Sequence, residues 1–493
     1  MALRNDFIST EKVNLNDDAV ISETNTKIND KDCIEENEKD EGVTNLLRFF
    51  LFVTCWGSTM MGMDLGLTGG AALYVEPALH ISSNEWSWIA SGAGWGCVIG
   101  SILATPLSFI VGRKPVLITS SLLYMAGVVV AASSFSWGQL LAGRLIMGVG
   151  IGTEAMTIPM YISEVEVASY ILGSGFVGPF IQLIGLLFLP ESPRFLMLKR
   201  KPELARKSWR KYRRETPLSE RDYREMVIRL EEELSCQIDF VSAIKEIVTD
   251  SKRRATFIVG GVLAVSQQWN GASSVGYYMA ILLKSLGLTN HEADYVQMPI
   301  GFWSFCWTLP AYYWLDRYGR RTMLLISFPI FMIGELIAGS SIYVTNTNQR
   351  AAGFIIGMLI FYLGFQIGIS PVAWVTNGEI YELHLRNYGM AWASALLLGS
   401  LALSTLLFSK QVAAFTIQGT FYFYVGVSVL FWIFHFMFLP ETKGLQLEDI
   451  RDLFRKGLLG LVKKHLHEAK EAFHYYVLRK HNGKKTRSDS SET

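Results

Sequence analysis

The chain has 493 residues and a net charge of +1; half of them are hydrophobic, only 18% are charged, and the mean hydropathy is +0.26. That balance exceeds what a soluble domain carries and places the chain among polytopic membrane proteins, with no basic excess to call for nucleic acid. The five cysteines, Cys33, Cys55, Cys97, Cys236 and Cys306, have no metal-ligand spacing, and four would lie in spans or cytosolic segments, so no disulfide framework is expected.

Residues 1–45 are polar and acidic (KDCIEENEKDEG) and cannot bury a core, so they read as a disordered cytosolic tail with no cleavable signal. Apolar runs of spanning length follow at about 46–75, 85–108, 115–135, 138–160 and 168–190, which makes 46–190 a first helix bundle. A charged segment with helical spacing, 191–255 (ELARKSWRKYRRE, MVIRLEEELS), comes next and is cytosolic by the positive-inside rule. Six more spans fill 256–440, at about 256–283, 293–315, 322–344, 353–378, 389–413 and 419–439. The tail 441–493 is basic and partly amphipathic and reads as a cytosolic helix near the headgroups.

The chain repeats itself. Gly112-Arg113-Lys114-Pro115 matches Gly319-Arg320-Arg321-Thr322, each after the second span of its half. Pro190-Glu191-Ser192-Pro193-Arg194 matches Pro440-Glu441-Thr442-Lys443-Gly444, and Glu164 matches Glu379. Two related halves joined by a cytosolic loop is the plan of a secondary transporter, with the substrate at their interface. From Glu379 to Pro440 is 61 residues, but from Glu164 to Pro190 only 26. The first half is therefore about 35 residues short, which predicts about eleven spans, with the fifth helix missing. An altered gene model or splice form, or a damaged carrier, would each account for it.

Polar groups at membrane depth are costly, so they mark function by default. Gln267-Gln268-Trp269-Asn270-Gly271 through Ser273, Tyr277 and Tyr278 occupies the second half of one apolar run. Its amides offer both donors and acceptors, as a polyhydroxylated ligand requires; bonding to neighbouring helices is the other reading. Asp64 lies in the first span, and Arg144, in the fourth, is its natural partner. That pair reads either as a protonatable switch or as a static salt bridge.

These features, in order, resemble the sugar porter family of the major facilitator superfamily, most of all its fungal hexose and polyol carriers. The resemblance covers about 46–445 and rests on Gly62-Met63-Asp64-Leu65-Gly66, Gly143-Arg144 with Gly148, Gly150 and Gly152, and Pro159-Met160-Tyr161-Ile162-Ser163-Glu164. It continues through PESPR, the Gln267-Gln268 stretch, Asp316-Arg317-Tyr318-Gly319-Arg320-Arg321, Pro371-Val372-Ala373-Trp374 to Glu379 and Arg386, and PETKG. It implies an all-α membrane protein with two six-helix halves, less the missing span. It also implies alternating-access transport of a hexose, pentose or polyol with a proton as co-substrate, at the plasma membrane of the cell. Carried over by position, Gln267, Gln268 and Trp374 contact the sugar, with Ser273 and Tyr277 of the same stretch beside them. Asp64 and Arg144 couple the proton. Glu164, Arg194, Asp316, Arg317, Arg320, Arg321, Glu379, Arg386 and Glu441 form a cytosolic charge network that latches the halves together, unless they are simply solvated topogenic charges.

Several positions depart from the family pattern. Phe109-Ile110 replaces an Asp-Arg pair, Ser273 and Ser304 stand where asparagines are expected, and Leu398 and Leu401 occupy polar positions of the eleventh helix. These departures keep two alternatives open beside sugar transport: a non-transporting sugar sensor, and a carrier of another small organic solute. No metal-spaced cluster or phosphate loop is present, and the glycines of GVGIG suit close helix packing, so no enzyme, metal or other cofactor is expected.

Overall fold

A computed structural model of the chain describes residues 59–165, 178–213, 216–235, 240–382 and 384–444, with scattered positions from 454 to 470. The acidic tail 1–45 and most of 441–493 lie outside the described residues, as do 166–177, on which the expectation of a missing span falls. The first half comprises α1 (Thr59–Ala78), α2 (Ser83–Ile110), α3 (Arg113–Ala132), α4 (Trp137–Val165) and α5 (Gly178–Phe188), and α5 packs along α3. Helices with proline in their first turn then cross the charged segment: α6 (Pro193–Leu198), α7 (Pro202–Tyr212) and α8 (Pro217–Ser235), followed by α9 (Phe240–Thr249). α7 docks beneath the first half through Tyr212, whose hydroxyl donates to Pro190 O at 2.8 Å, and Ser208, which donates to Glu191 O at 2.6 Å.

The second half begins with a helix in two pieces, α10 (Ser251–Ser266) and α11 (Ala272–Ser285). Gly271 joins them with φ at 81°, and a side chain there would also strike the Tyr424 ring, so the break needs glycine on both counts. α12 (Asn290–Tyr318), α13 (Arg320–Ser341), α14 (Thr347–Ile367) and α15 (Ile369–Glu379) follow, the last two forming one span broken at Gly368. α16 (Arg386–Phe438) is 53 residues long and bends at Thr416, where φ is 66°. Among the described residues five segments, Ser83–Ser108, Arg113–Ala132, Arg320–Ser341, Thr347–Glu379 and Arg386–Phe438, are long and apolar enough to cross a membrane.

The internal repeat is visible in atoms. α2 and α12 each open with a capping box, Ser82 with Glu85 and Thr289 with Glu292, which satisfies the first free backbone N–H groups in both. α3 and α13 each start after a glycine of positive φ, and their first N–H groups donate to the glutamate that closes the half. Glu191 accepts from Arg113 N at 3.2 Å and Lys114 N at 3.3 Å; Glu441 accepts from Arg320 N at 2.8 Å, Arg321 N at 3.1 Å and Thr322 N at 3.3 Å. A carboxylate at a helix N-terminus is favoured by the helix dipole as well as by these bonds. Burial pushes the Glu191 carboxyl up from its ordinary range, and the backbone donors pull it back.

Lipid tails are as apolar as leucine, so helices in a bilayer associate through close packing, which small residues allow. α4 is held this way on two sides. A Cβ on Gly148 or Gly152 would lie 2.0 or 2.1 Å from the carbonyl oxygen of Ala93 or Cys97 on α2, while Gly143 meets Ala131 and Gly150 meets Ser120 on α3. The GVGIG glycines therefore serve helix packing. In the second half Gly334, Gly357 and Gly364 bring α13 and α14 together, around a core that includes Phe328, Phe331, Phe354, Phe361 and Phe421.

Candidate functional site

Asp64 is 1% exposed and Arg144 4%, and they form an ion pair. The guanidinium is held by more than its counter-charge. Nε donates to Ile89 O at 3.1 Å and Nη2 to Ala90 O at 3.2 Å on α2, and Nη1 also donates to Thr68 Oγ1 on α1. The second carboxylate oxygen of Asp64 accepts from the Tyr277 hydroxyl at 2.9 Å, across the boundary between halves. The guanidinium carbon lies 5.6 Å from the centre of the Tyr277 ring, a cation–π distance. Tyr277, expected among the substrate contacts, thus sits on the ion pair instead.

The other residues of that stretch are engaged within the protein. Gln267 is buried at the break, its Nε2 donating to Ser370 O at 3.2 Å while Oε1 has no hydrogen-bond partner. Gln268 is buried too, and its Oε1 accepts from Ser273 Oγ at 2.6 Å. Trp374 is half-buried, packed on a cluster containing Cys97, Leu397 and Leu398. The two leucines at polar family positions, Leu398 and Leu401, are both buried. As arranged here, the amides face helices rather than an open cavity.

An open cavity of about 570 Å³ lies between α1, α11, α12 and α14. Its walls are Gly62, Leu65 and Gly66 of α1, Gly276 and Met279 of α11, Gln297, Met298, Ile300, Gly301 and Ser304 of α12, and Tyr362 and Gln366 of α14. The volume lies in the usual range for small-molecule sites, and a mostly apolar lining with a few polar groups is the usual composition. Gln366 Nε2 donates to Ser304 Oγ at 2.7 Å, and Gln297 Nε2 to Gly66 O at 3.1 Å. Sequence reasoning passed over Gln366 and Gln297, although an amide inside the apolar run LIFYLGFQIGIS was a signal of the kind used for Gln267. It also passed over Glu335, 1% exposed on α13, whose Oε2 has no hydrogen-bond partner.

Among the charges expected to form the latch, those of the second half engage partners within that half. Arg320 pairs with Glu379 at 2.9 Å and with exposed Asp316 at 3.2 Å, and Thr442 donates to Glu379 at 2.7 Å. Arg321 donates to Phe436 O at 2.9 Å, and Arg317 to the Tyr313 hydroxyl at 3.1 Å. These bonds, with those of Glu441, run within the second half. Arg194 sits half-buried in the first turn of α6, Arg386 is half-buried with no partner for its Nε, and the Glu164 side chain lies outside the described residues. Described bonds between halves gather at the opposite face: Tyr74 donates to Asp294 at 3.1 Å, Tyr278 to Ser87 at 3.1 Å, and Ser87 meets Ser409. In this arrangement these bonds join the halves away from the basic loops.

A family model described as "Sugar (and other) transporter" matches residues 50–170 and 166–454. A myo-inositol transporter of Gibberella moniliformis is 28% identical over 464 residues, covering 85% of this chain and 80% of that protein. A galactose–proton symporter of Escherichia coli is 27% identical, covering 85% and 97%. Among solved structures, the proton:xylose symporter XylE bound to 6-bromo-6-deoxy-D-glucose superposes with a TM-score of 0.68 at 22% identity, covering 83% of this chain and 98% of that one. XylE of E. coli in its inward-open form gives a TM-score of 0.67.

Proposed function

The chain belongs to the sugar transporter family of the major facilitator superfamily, and from that premise we propose that it carries a monosaccharide or polyol across the plasma membrane together with a proton. The buried Asp64–Arg144 pair carries this reading. A buried ion pair contributes little net stability, so its presence beside a substrate-sized cavity is best explained by use. Relatives named as inositol, polyol and galactose or arabinose carriers support a polyhydroxylated solute, and those named as proton symporters support the coupling. In this reading the solute enters the cavity and meets Gln366, Ser304 and Gln297. Gln267, Gln268 and Trp374 join it as the halves rock. The charge network around Glu379, Arg386 and Glu441, with Arg194 and Glu164 of the first half, forms the latch of the opposite state.

The test is uptake of labelled hexoses, pentoses and polyols by cells lacking their own carriers, with surface expression measured alongside. Wild type should accumulate one such solute and lose the gradient with a protonophore. Asp64→Asn should lose accumulation yet keep exchange; accumulation unchanged by that substitution would sink proton coupling through Asp64.

A second reading, a sugar sensor that does not transport, is favoured by Leu398 and Leu401, which bury hydrocarbon where the resemblance expects polar groups. Signalling without uptake at normal surface expression would select it.

A further inference from the structure

We propose that Tyr277 is a positioning residue that couples the protonation of Asp64 to the movement of α11, so that one hydroxyl links the proton carrier of the first half to the substrate wall of the second. The inference rests on the transport reading and adds to it the part that connects its two sites.

The observations are geometric. Tyr277 is 2% exposed and donates to Asp64 Oδ2 at 2.9 Å. The residue before it, Gly276, and Met279 two positions on, both line the cavity. On the other side of the bond, Leu65 and Gly66 line the same cavity next to Asp64. The bond therefore pins α11 to α1 where the two helices form facing walls. It also lies with the other contacts of the halves, since Gly69 of α1 is close-packed on the Gly276 and Tyr277 carbonyls.

Protonation changes what this bond can be. An ionised carboxylate is acceptor-only and can serve Arg144 on one oxygen and Tyr277 on the other. When Asp64 takes a proton from water on Oδ2, that oxygen becomes a donor. The Tyr277 hydroxyl loses its charged acceptor, and with it a bond stronger than one between neutral groups. Ionised Asp64 thus favours this joined arrangement of the halves and protonated Asp64 favours its release; returning the proton to water restores the bond. The other titratable groups near the bond are Arg144 on α4, Cys97 on α2 and Tyr124 on α3. None of the three replaces the hydroxyl, because among the described residues only Tyr277 bonds Asp64 from the other half.

The test compares accumulation with counterflow, the exchange of labelled for unlabelled solute with no net proton movement. Tyr277→Phe keeps the ring against Arg144 and removes only the hydroxyl. Expected in Tyr277→Phe are counterflow that persists and an accumulation ratio at least tenfold lower. In an Asp64→Asn background, where the carboxylate is already gone, adding Tyr277→Phe should change neither readout. Wild-type accumulation by Tyr277→Phe would overturn the proposal. So would equal loss of counterflow and accumulation, which marks a substrate or folding role, or an additive effect in the Asp64→Asn background. A wild type that shows neither counterflow nor uptake at normal surface expression is a different result: it removes the transport reading itself, and this proposal with it.

Discussion

Replacing Gly148 with alanine tests whether the packing of α2 on α4 is what holds the buried ion pair. A Cβ there would lie 2.0 Å from Ala93 O, and ordinary contact begins at 3.4 Å, so the helices must part locally by about 1.4 Å (3.4 − 2.0). One turn back on α4, Arg144 donates to Ile89 O at 3.1 Å and Ala90 O at 3.2 Å on the same stretch of α2. Adding the shift takes both to about 4.5 Å, out of hydrogen-bonding range. Bonds to a charged group contribute roughly 1.5–3 kcal/mol each, so losing two costs about 3–6 kcal/mol. Overpacking strain of roughly 1–3 kcal/mol comes on top. Gly426 is the matched control, a helical glycine with nothing within 4 Å of its added Cβ. There alanine should stabilise by about 0.5–1 kcal/mol. The assay is the fraction of monodisperse protein recovered by size exclusion after heating in detergent. Gly148→Ala should melt well below the wild type, and Gly426→Ala at or slightly above it. If both variants melted with the wild type, close backbone contact would not be what holds α2 on α4, and the reasoning would fail.

Gln366→Ala should raise the half-saturation concentration of the carried solute about fivefold, the effect of losing roughly 1 kcal/mol. An unaltered constant for every carried solute, measured by initial uptake rates, would remove Gln366 from the site. Glu441→Ala leaves three α13 N–H groups without their carboxylate and should cost about 2–4 kcal/mol, the value for charge-assisted bonds discounted for partial exposure. Glu191→Ala should cost a similar amount in the same melting assay, because it caps α3 the same way. A large effect from one and none from the other would contradict the structural equivalence of the two halves.

Much of the fold was legible in the sequence because a bilayer forces spans to be long, apolar and internally hydrogen-bonded. The repeated Gly-Arg motifs and the closing glutamates announced two related halves, and the structure adds the bond between them. Asp64 and Arg144 were legible for the same reason, as charges standing inside apolar runs. What pattern could not give was which side chains face one another. Tyr277 and Asp64 are 213 positions apart, and nothing local to either tells that the hydroxyl leaves its own amide-rich stretch for a carboxylate in the other half. Gln267 was read as a ligand contact from its chemistry, yet the direction of its amide is set by the break at 267–271, which aims Nε2 at Ser370 O. Gln366 was missed because it stood alone, without a neighbouring polar residue to mark it.

The two glutamate clasps also set a timetable. Arg113 and the glutamate that caps it are 78 positions apart, whereas Arg320 and its own are 121 apart. Neither clasp can close until its glutamate has been synthesised, and chains emerge from the ribosome N-terminus first. The first half can therefore be fastened while the second is still being translated. The second must wait, its helix α13 uncapped, until almost its whole set of spans has left the ribosome. During that interval the first backbone N–H groups of α13 stand without the carboxylate that caps them in the folded chain. Substitutions at Glu441 should show themselves in the yield of inserted protein before they show in the behaviour of the protein that survives.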